Sequence, residues 1–315
     1  MRKLFPLYLA ALYMALLAPL GATARPQSNE EVLFTLPNSV VAEMSEFWGR
    51  QAELAVSDEA LVRRLHAIQA ERENPMQDLL NKGPHSLENA LFWISAVPHG
   101  RALLANVIPI WKLDPKKQGL HFASARDPDG KRLNQNAESM AFFFQDTVYI
   151  DYEFSFIVLV ASMFHELVHA QQILVDKGGK EKQAVIDRLN NLDNLYRHWS
   201  EMGGAATGMQ IASSVKTMRD DLSKRLDAAK EEAYPILINM EHQAYRMQDT
   251  FIGELFQLGD QFRVALADRI QARQWLAFPV SETLFRGVMR YERGMNIPEP
   301  VLDKYFKDFP FSSYE

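Results

Sequence analysis

The chain contains no cysteine among its 315 residues. A disulfide framework, an iron–sulfur cluster and a thiolate metal site are therefore all excluded. Any metal ion must be held by histidine, aspartate or glutamate side chains. Glycine and proline number only 15 each, which excludes collagen-like and linker-like sequence.

The chain also lacks an excess of positive charge. It has 34 Lys and Arg residues against 40 Asp and Glu residues, which gives a net charge of −6. This balance does not favour a nucleic-acid partner bound through phosphate contacts, and we expect none. Because 47% of the residues are hydrophobic and 23% are charged, a mainly disordered chain is excluded. The length allows one large domain or two modest ones.

A long hydrophobic run occurs only at the start of the chain. The basic residues Arg2 and Lys3 precede the charge-free run Leu4–Leu20, and Gly21–Ala24 supplies small residues. This three-part layout is typical of a secretory signal peptide, so residues 1–24 are predicted to be one. We therefore expect an exported protein, periplasmic or secreted, with no membrane span after signal cleavage. A bacterial lipoprotein is excluded because it would need a cysteine.

The middle of the chain differs in pattern from its two ends. Helical spacing of apolar residues predominates before residue 105, with two helices expected between Asn38 and Arg72 and another after Ser86. It predominates again after Phe154, with breaks expected at Gly178–Gly179, Gly203–Gly204, Pro235 and Gly259. Between these parts lie four short runs that are rich in Val, Ile, Phe and Tyr: Ile108–Leu113, Gly119–Ser124, Ser139–Gln145 and Thr147–Tyr152.

These patterns predict an α+β fold that is predominantly helical. Gln145 and Asp146 separate two strand-like runs and indicate a tight hairpin, so we expect a small, mostly antiparallel sheet. The expected organisation after the signal peptide is a helical N-terminal segment (25–104), a core (105–260) and a C-terminal extension packed on that core (261–315).

One motif carries specific chemistry, the HExxH sequence His165-Glu166-Leu167-Val168-His169. Residues four apart lie on one face of a helix, so both imidazoles can reach one metal ion. Glu166 comes directly after the first ligand, which favours a place beside the metal, where it can accept a proton from water. The apolar residues that precede the motif indicate a buried helix, in which a His-Glu-His set is costly unless something satisfies it.

The chain here resembles the zincin metallopeptidases. The resemblance rests on His165, Glu166 and His169, on the following Ala170-Gln171-Gln172 and on the strand-rich segment before the motif, and it covers roughly residues 105 to 255. It implies a zinc ion (Zn2+) as cofactor and an edge strand, Ser139–Gln145 or Thr147–Tyr152, that binds the substrate backbone. The ligand types would also accept Mn or Ni.

The third metal ligand is less clearly marked than the two histidines. The metzincin pattern needs glycine and histidine where this chain has Gln172 and Val175, so the resemblance is to gluzincin-like members with a downstream glutamate. No other histidine lies in a ligand-like motif. The leading candidates are Glu201, Glu231, Glu232, Glu241 and Glu254.

Glu241 is the favoured third ligand. Pro235 suits the first turn of a new helix, on which Glu241 and Gln248 fall in an apolar stripe formed by Leu237, Ala244, Phe251 and Leu255. A carboxylate in such a stripe needs a partner, and a metal ion is one. Residues 241–245 also look like the Glu-x-x-Ala segment of several gluzincin-type families. The alternatives are that Glu241 pairs with a basic side chain or lies at the edge of the helix face, and Glu201 and Glu232 remain open as ligands.

The resulting expectation is a zinc-dependent metallopeptidase that acts on a peptide or protein substrate. A metal-activated water attacks the peptide bond, with Glu166 as general base. Two alternatives stay open: a non-catalytic periplasmic zincin-like binding or scaffold protein, and a zinc amidase that acts on cell-wall peptides. Gln171 and Gln172 are candidates for groups beside the ligands. Candidate donors to the oxyanion are Tyr152, His198, His242, Tyr245 and Arg246.

Overall fold

The computed structural model describes part of the chain: residues 38–53, 87–112, 116–131, 133, 141–151, 156–205, 209–261, 282–291 and 296–311. All of these residues belong to one compact unit, Phe34–Glu315. The expected signal peptide (1–24) and the second of the two helices expected between Asn38 and Arg72 lie outside the described residues.

Helices make up most of the described chain. Their bounds are Asn38–Glu53 (α1), Leu87–Ser95 (α2), Pro98–Val107 (α3), Phe156–Ala170 (α4), Gly179–Ala205 (α5), Met209–Gln261 (α6), Glu282–Tyr291 (α7) and Glu299–Asp308 (α8). A 3₁₀ turn, Ile108–Ile110, follows α3, and a π-helical turn, Gln171–Val175, follows α4.

Three short strands form a sheet between α3 and α4. They are β1 (His121–Ser124), β2 (Ala141–Phe144) and β3 (Thr147–Ile150), in the order β1-β3-β2. The two strands β2 and β3 are antiparallel, whereas β1 and β3 are parallel. In this described sheet β3 is central and β2 lies at an edge.

The hairpin between β2 and β3 is the one that the sequence predicts. Gln145 and Asp146 form its two-residue loop, with φ of 46° and 62°. Positive φ at both central residues is the type I′ geometry, whose twist matches that of the flanking strands. This loop also fixes the register, in which Phe144 faces Thr147 and Phe143 faces Val148.

The α+β class is confirmed, with two differences in the sheet. Its pairing is mixed, with one parallel ladder, where the sequence predicts mostly antiparallel pairing. The connection from β1 to β3 is long enough for a crossover, which parallel pairing requires. The predicted strand Ile108–Leu113 is wrong over its first three residues, which form the 3₁₀ turn Ile108–Ile110, because Pro109 lacks an N–H for a ladder; Leu113 lies outside the described residues. Trp111 of this run forms an isolated parallel bridge to Leu120.

Pro235 does not begin a helix, contrary to the prediction. It lies inside α6, which continues from Met209 to Gln261. The side chain of Pro235 is exposed, while Ala233, Tyr234 and Ile238 around it are buried. Packing of these neighbours holds the helix together across a residue that lacks one hydrogen bond.

A first core surrounds α4. Helix α4 is apolar on nearly all sides, which is typical of a helix buried on every face. Trp48 of α1 and Trp93 of α2 are fully buried in the same cluster. The sheet and the last turns of α6 complete it, so elements from before and after the motif share one core.

A second core joins α5, the middle of α6, α7 and α8. It includes Leu226 and Ile238 of α6, Phe285 of α7 and Phe306 of α8. Helix α6 therefore contributes to both cores. Among the described residues, no helix combines the length and the apolar character needed to cross a membrane.

Candidate metal centre

Three of the predicted residues meet at one buried point between α4 and α6. His165 and His169 lie one turn apart on α4, and Glu241 lies on α6. The Nε2 atoms of the two histidines are 3.1 Å apart. Glu241 places Oε2 3.2 Å from Nε2 of His165 and Oε1 3.4 Å from Nε2 of His169. These three residues could together bind a metal ion.

Burial makes this grouping costly without a cation. The exposed fractions of His165, His169 and Glu241 are 3%, 4% and 3%. A buried carboxylate loses its hydration, and it must gain a charged or donating partner to offset that loss. A metal ion at the point where the three groups converge would offset that loss.

Each histidine is held at its other nitrogen by a buried glutamine. The side-chain oxygen of Gln248 lies 2.9 Å from Nδ1 of His165, and that of Gln172 lies 2.9 Å from Nδ1 of His169. An amide oxygen accepts, so this arrangement has Nδ1 of each ring as the donor. With Nδ1 protonated, a neutral ring has its lone pair on Nε2, the atom that faces the Glu241 carboxylate.

Aromatic and small side chains pack the two helices α4 and α6 together. Phe164, next to His165, stacks on Phe251 of α6 with ring centroids 4.2 Å apart. Ala244 is completely buried, and its small side chain lets the helices approach closely. Glu241, Ala244, Gln248, Phe251 and Leu255 lie on one stripe of α6 and are all buried. The same stripe that packs α6 on the first core thus carries the carboxylate to the histidines.

Glu166 does not join the ligand group and instead faces the sheet. Its exposed fraction is 2%, and its Oε2 accepts a hydrogen bond of 2.8 Å from the backbone N–H of Phe143 in β2. This N–H points away from β3, since Phe143 and Val148 face each other as a non-hydrogen-bonded pair. The edge of β2 is therefore directed toward the helix that carries the motif.

The other candidate glutamates are placed elsewhere. Glu201 and Glu231 are exposed. Glu232 pairs with Arg188 at the surface, where half of its side chain is accessible. Glu254 accepts a hydrogen bond from the backbone N–H of His99 at the start of α3. Of the five candidates, Glu241 is the one that meets the histidines.

The candidate oxyanion donors are also separated by the structure. Tyr245 lies next to the centre, with its ring centroid 4.3 Å from that of His165. His198 is exposed on α5. Tyr152 lies outside the described residues. Arg246 follows Tyr245 on α6 and is partly buried.

His242 packs away from the two ligand histidines, among aromatic rings of the second core. It stacks on Phe311, with ring centroids 5.0 Å apart, and contacts Phe285. Burial lowers the pKa of His242 to about 4, and the positive charge of Arg246 lowers it as well. His242 is therefore neutral near pH 7.

Sequence reasoning did not assign a role to Gln248 or to the backbone of Phe143. Gln248 carried a usable signal, because a polar residue in an apolar stripe, one heptad after Glu241, requires a polar partner. The hydrogen bond from the Phe143 N–H to Glu166 had no such signal, since every residue except proline has a backbone N–H.

Comparisons with protein-family models, with curated proteins and with solved structures found no match for this chain. The interpretation of the centre therefore depends on its own geometry and chemistry.

Proposed function

We propose that this protein is a zinc-dependent metallopeptidase. The observation that carries the proposal is the buried convergence of His165, His169 and Glu241, with Glu166 directly after the first histidine. Three protein ligands that leave a fourth position open are the usual composition of a catalytic zinc site.

The ligand types support zinc among the possible metals. Two imidazoles and one carboxylate are a ligand set that suits zinc.

Glu166 supports catalysis over a purely structural metal. A structural site requires ligands alone, whereas this chain also buries a carboxylate that is not in the ligand group. When bound, the metal ion would polarise a carbonyl group and make water a stronger acid. Glu166 would accept the proton of the attacking water and return it to the leaving amine.

The edge strand β2 supports an extended peptide as the substrate class. The outer edge of β2 lies on the side of the motif helix, where the Phe143 N–H donates to Glu166. An extended peptide can add to such an edge through main-chain hydrogen bonds. Its backbone would then pass next to the ligands, which is the geometry that hydrolysis of a peptide bond needs.

The test compares wild type with Glu166→Gln on a mixed peptide library, after metal analysis of both purified proteins. We expect both to bind zinc and only wild type to cleave, since loss of a general base lowers rates by about 10²–10⁴-fold. Glu201→Gln, at an exposed position, is the matched control and should cleave like wild type.

Two outcomes would overturn the proposal. If zinc neither co-purifies nor can be loaded, the centre is not a zinc site. If zinc binds but wild type and Glu166→Gln are equally inert on peptides, the non-catalytic scaffold interpretation replaces the peptidase. Cleavage of cell-wall peptides alone would identify the amidase alternative instead.

A further inference from the structure

Gln172 connects one metal ligand to the helix that carries another. Its exposed fraction is 3%, and its Oε1 lies 2.9 Å from Nδ1 of His169. Its Nε2 donates to the carbonyl oxygen of Met240 at 3.1 Å and to the side-chain oxygen of Gln243 at 3.1 Å. Met240 directly precedes Glu241, so Gln172 joins the end of α4 to the backbone of the ligand-bearing turn of α6.

The backbone around Gln172 is specialised. The chain leaves α4 in a π-helical turn, closed by a hydrogen bond from the Asp176 N–H to the Gln171 carbonyl. Gly179 packs against this turn so closely that a Cβ there would lie 2.6 Å from the Gln172 carbonyl oxygen. Only glycine fits that position. Such π turns are frequent at functional sites.

The direction of the hydrogen bonds follows from the backbone. A carbonyl oxygen can only accept, so the Gln172 atom facing Met240 must be the NH₂ group. The amide oxygen then faces Nδ1 of His169, which must carry the hydrogen. In the neutral ring, Nε2 of His169 is left with its lone pair directed toward His165 and Glu241.

We propose that Gln172 is a positioning residue. Its amide, oriented by the backbone of the helix that carries Glu241, fixes the tautomer of His169. The ring is thereby prepared to bind the metal through Nε2 before the metal arrives. This inference rests on the metal centre of the proposed function and is independent of peptide hydrolysis. Gln248 makes the same type of contact with His165, but its amide is not oriented by a described backbone carbonyl.

The first experiment needs no substitution. Nitrogen-15 NMR of the imidazoles in metal-free wild type reports which ring nitrogen carries the hydrogen. It is recorded over a pH series that extends to the plateau where the ring signals no longer change, so that the tautomer of the neutral ring is read. We expect the Nδ1–H tautomer for His169. The Nε2–H tautomer would overturn the inference, whether or not the protein binds zinc or cleaves peptides.

The second experiment compares Gln172→Met with Gln171→Met. Methionine keeps the length of the side chain but removes the amide. Gln171 lies in the same π turn, and its amide accepts a hydrogen bond from Asn106 of α3. We expect Gln172→Met to lose the fixed tautomer and to bind zinc about 10–100-fold more weakly, with Gln171→Met like wild type. A folded Gln172→Met protein with unchanged tautomer and affinity would overturn the inference.

Discussion

Glu241 is the residue that gives the proposed zinc centre its charge. Its two oxygens face the Nε2 atoms of His165 and His169, and those rings are neutral when they act as ligands. We expect Glu241→Ala to lower zinc affinity more than about 100-fold, which exceeds the usual effect of losing a partner of a ligand. Competition with a coloured chelator measures the affinity.

Glu232→Ala is the matched control for Glu241→Ala. Glu232 lies on the same helix and pairs with Arg188 at the surface. Its loss should leave zinc affinity unchanged. Equal zinc affinity in the two variants would show that Glu241 is not a ligand.

Residues differ in how much their sequence context can reveal. The i, i+4 spacing of His165 and His169 is sufficient to predict their shared face, because helix geometry is local. Glu241 required a longer argument from its apolar stripe, which depends on how α6 faces the core. The Gln172–Met240 hydrogen bond joins residues 68 apart in sequence. Such a contact follows from tertiary packing, so no local pattern predicts it.

At the scale of elements, the clearest failure of prediction concerns α6. Proline disfavours a helix interior because it lacks an N–H and its ring clashes with the preceding turn. Pro235 therefore indicated a helix start. The structure continues the helix through it, since burial of Ala233 and Ile238 on either side outweighs the local preference. The sequence also did not predict the parallel pairing of β1 with β3, because that pairing depends on the path of the long connection between the two strands.

Pro235→Ala should stabilise α6 and, with it, the protein. An interior proline costs a helix about 3 kcal/mol relative to alanine. Proline also restricts the unfolded chain, which offsets about 1 kcal/mol of that cost. We expect the free energy of unfolding to rise by about 1–2 kcal/mol, measured by urea denaturation. Pro235 is exposed, so alanine creates no cavity.

A lower stability of Pro235→Ala would contradict this expectation. It would mean that the backbone geometry which proline imposes at this position is needed for α6 to pack on both cores. Zinc affinity gives the internal control, because a changed α6 that displaced Glu241 would also weaken the proposed metal centre.

At the scale of the whole molecule, the candidate metal centre lies where separate parts of the chain meet. The candidate ligands come from α4 in the first core and from α6, which continues into the second core. Glu241 neighbours His242, whose ring packs against Phe285 of α7. A bound metal ion would therefore link the motif helix to the helix that joins the two cores.

Metal removal should accordingly destabilise the entire fold. A ligand that binds only the folded state at about 100 times its dissociation constant adds about 2.7 kcal/mol of stability. At about 2.1 cal/mol/K of unfolding entropy per residue, each kcal/mol shifts the Tm of a 315-residue chain by about 1.5 °C, so chelation should lower the Tm of wild type by about 4 °C. Calorimetry with and without chelator measures the shift.

Glu241→Ala should show almost no shift, because it holds little metal to lose. An equal shift in both proteins would mean that the chelator acts elsewhere, and no shift in zinc-loaded wild type would mean that the metal does not connect α4 and α6.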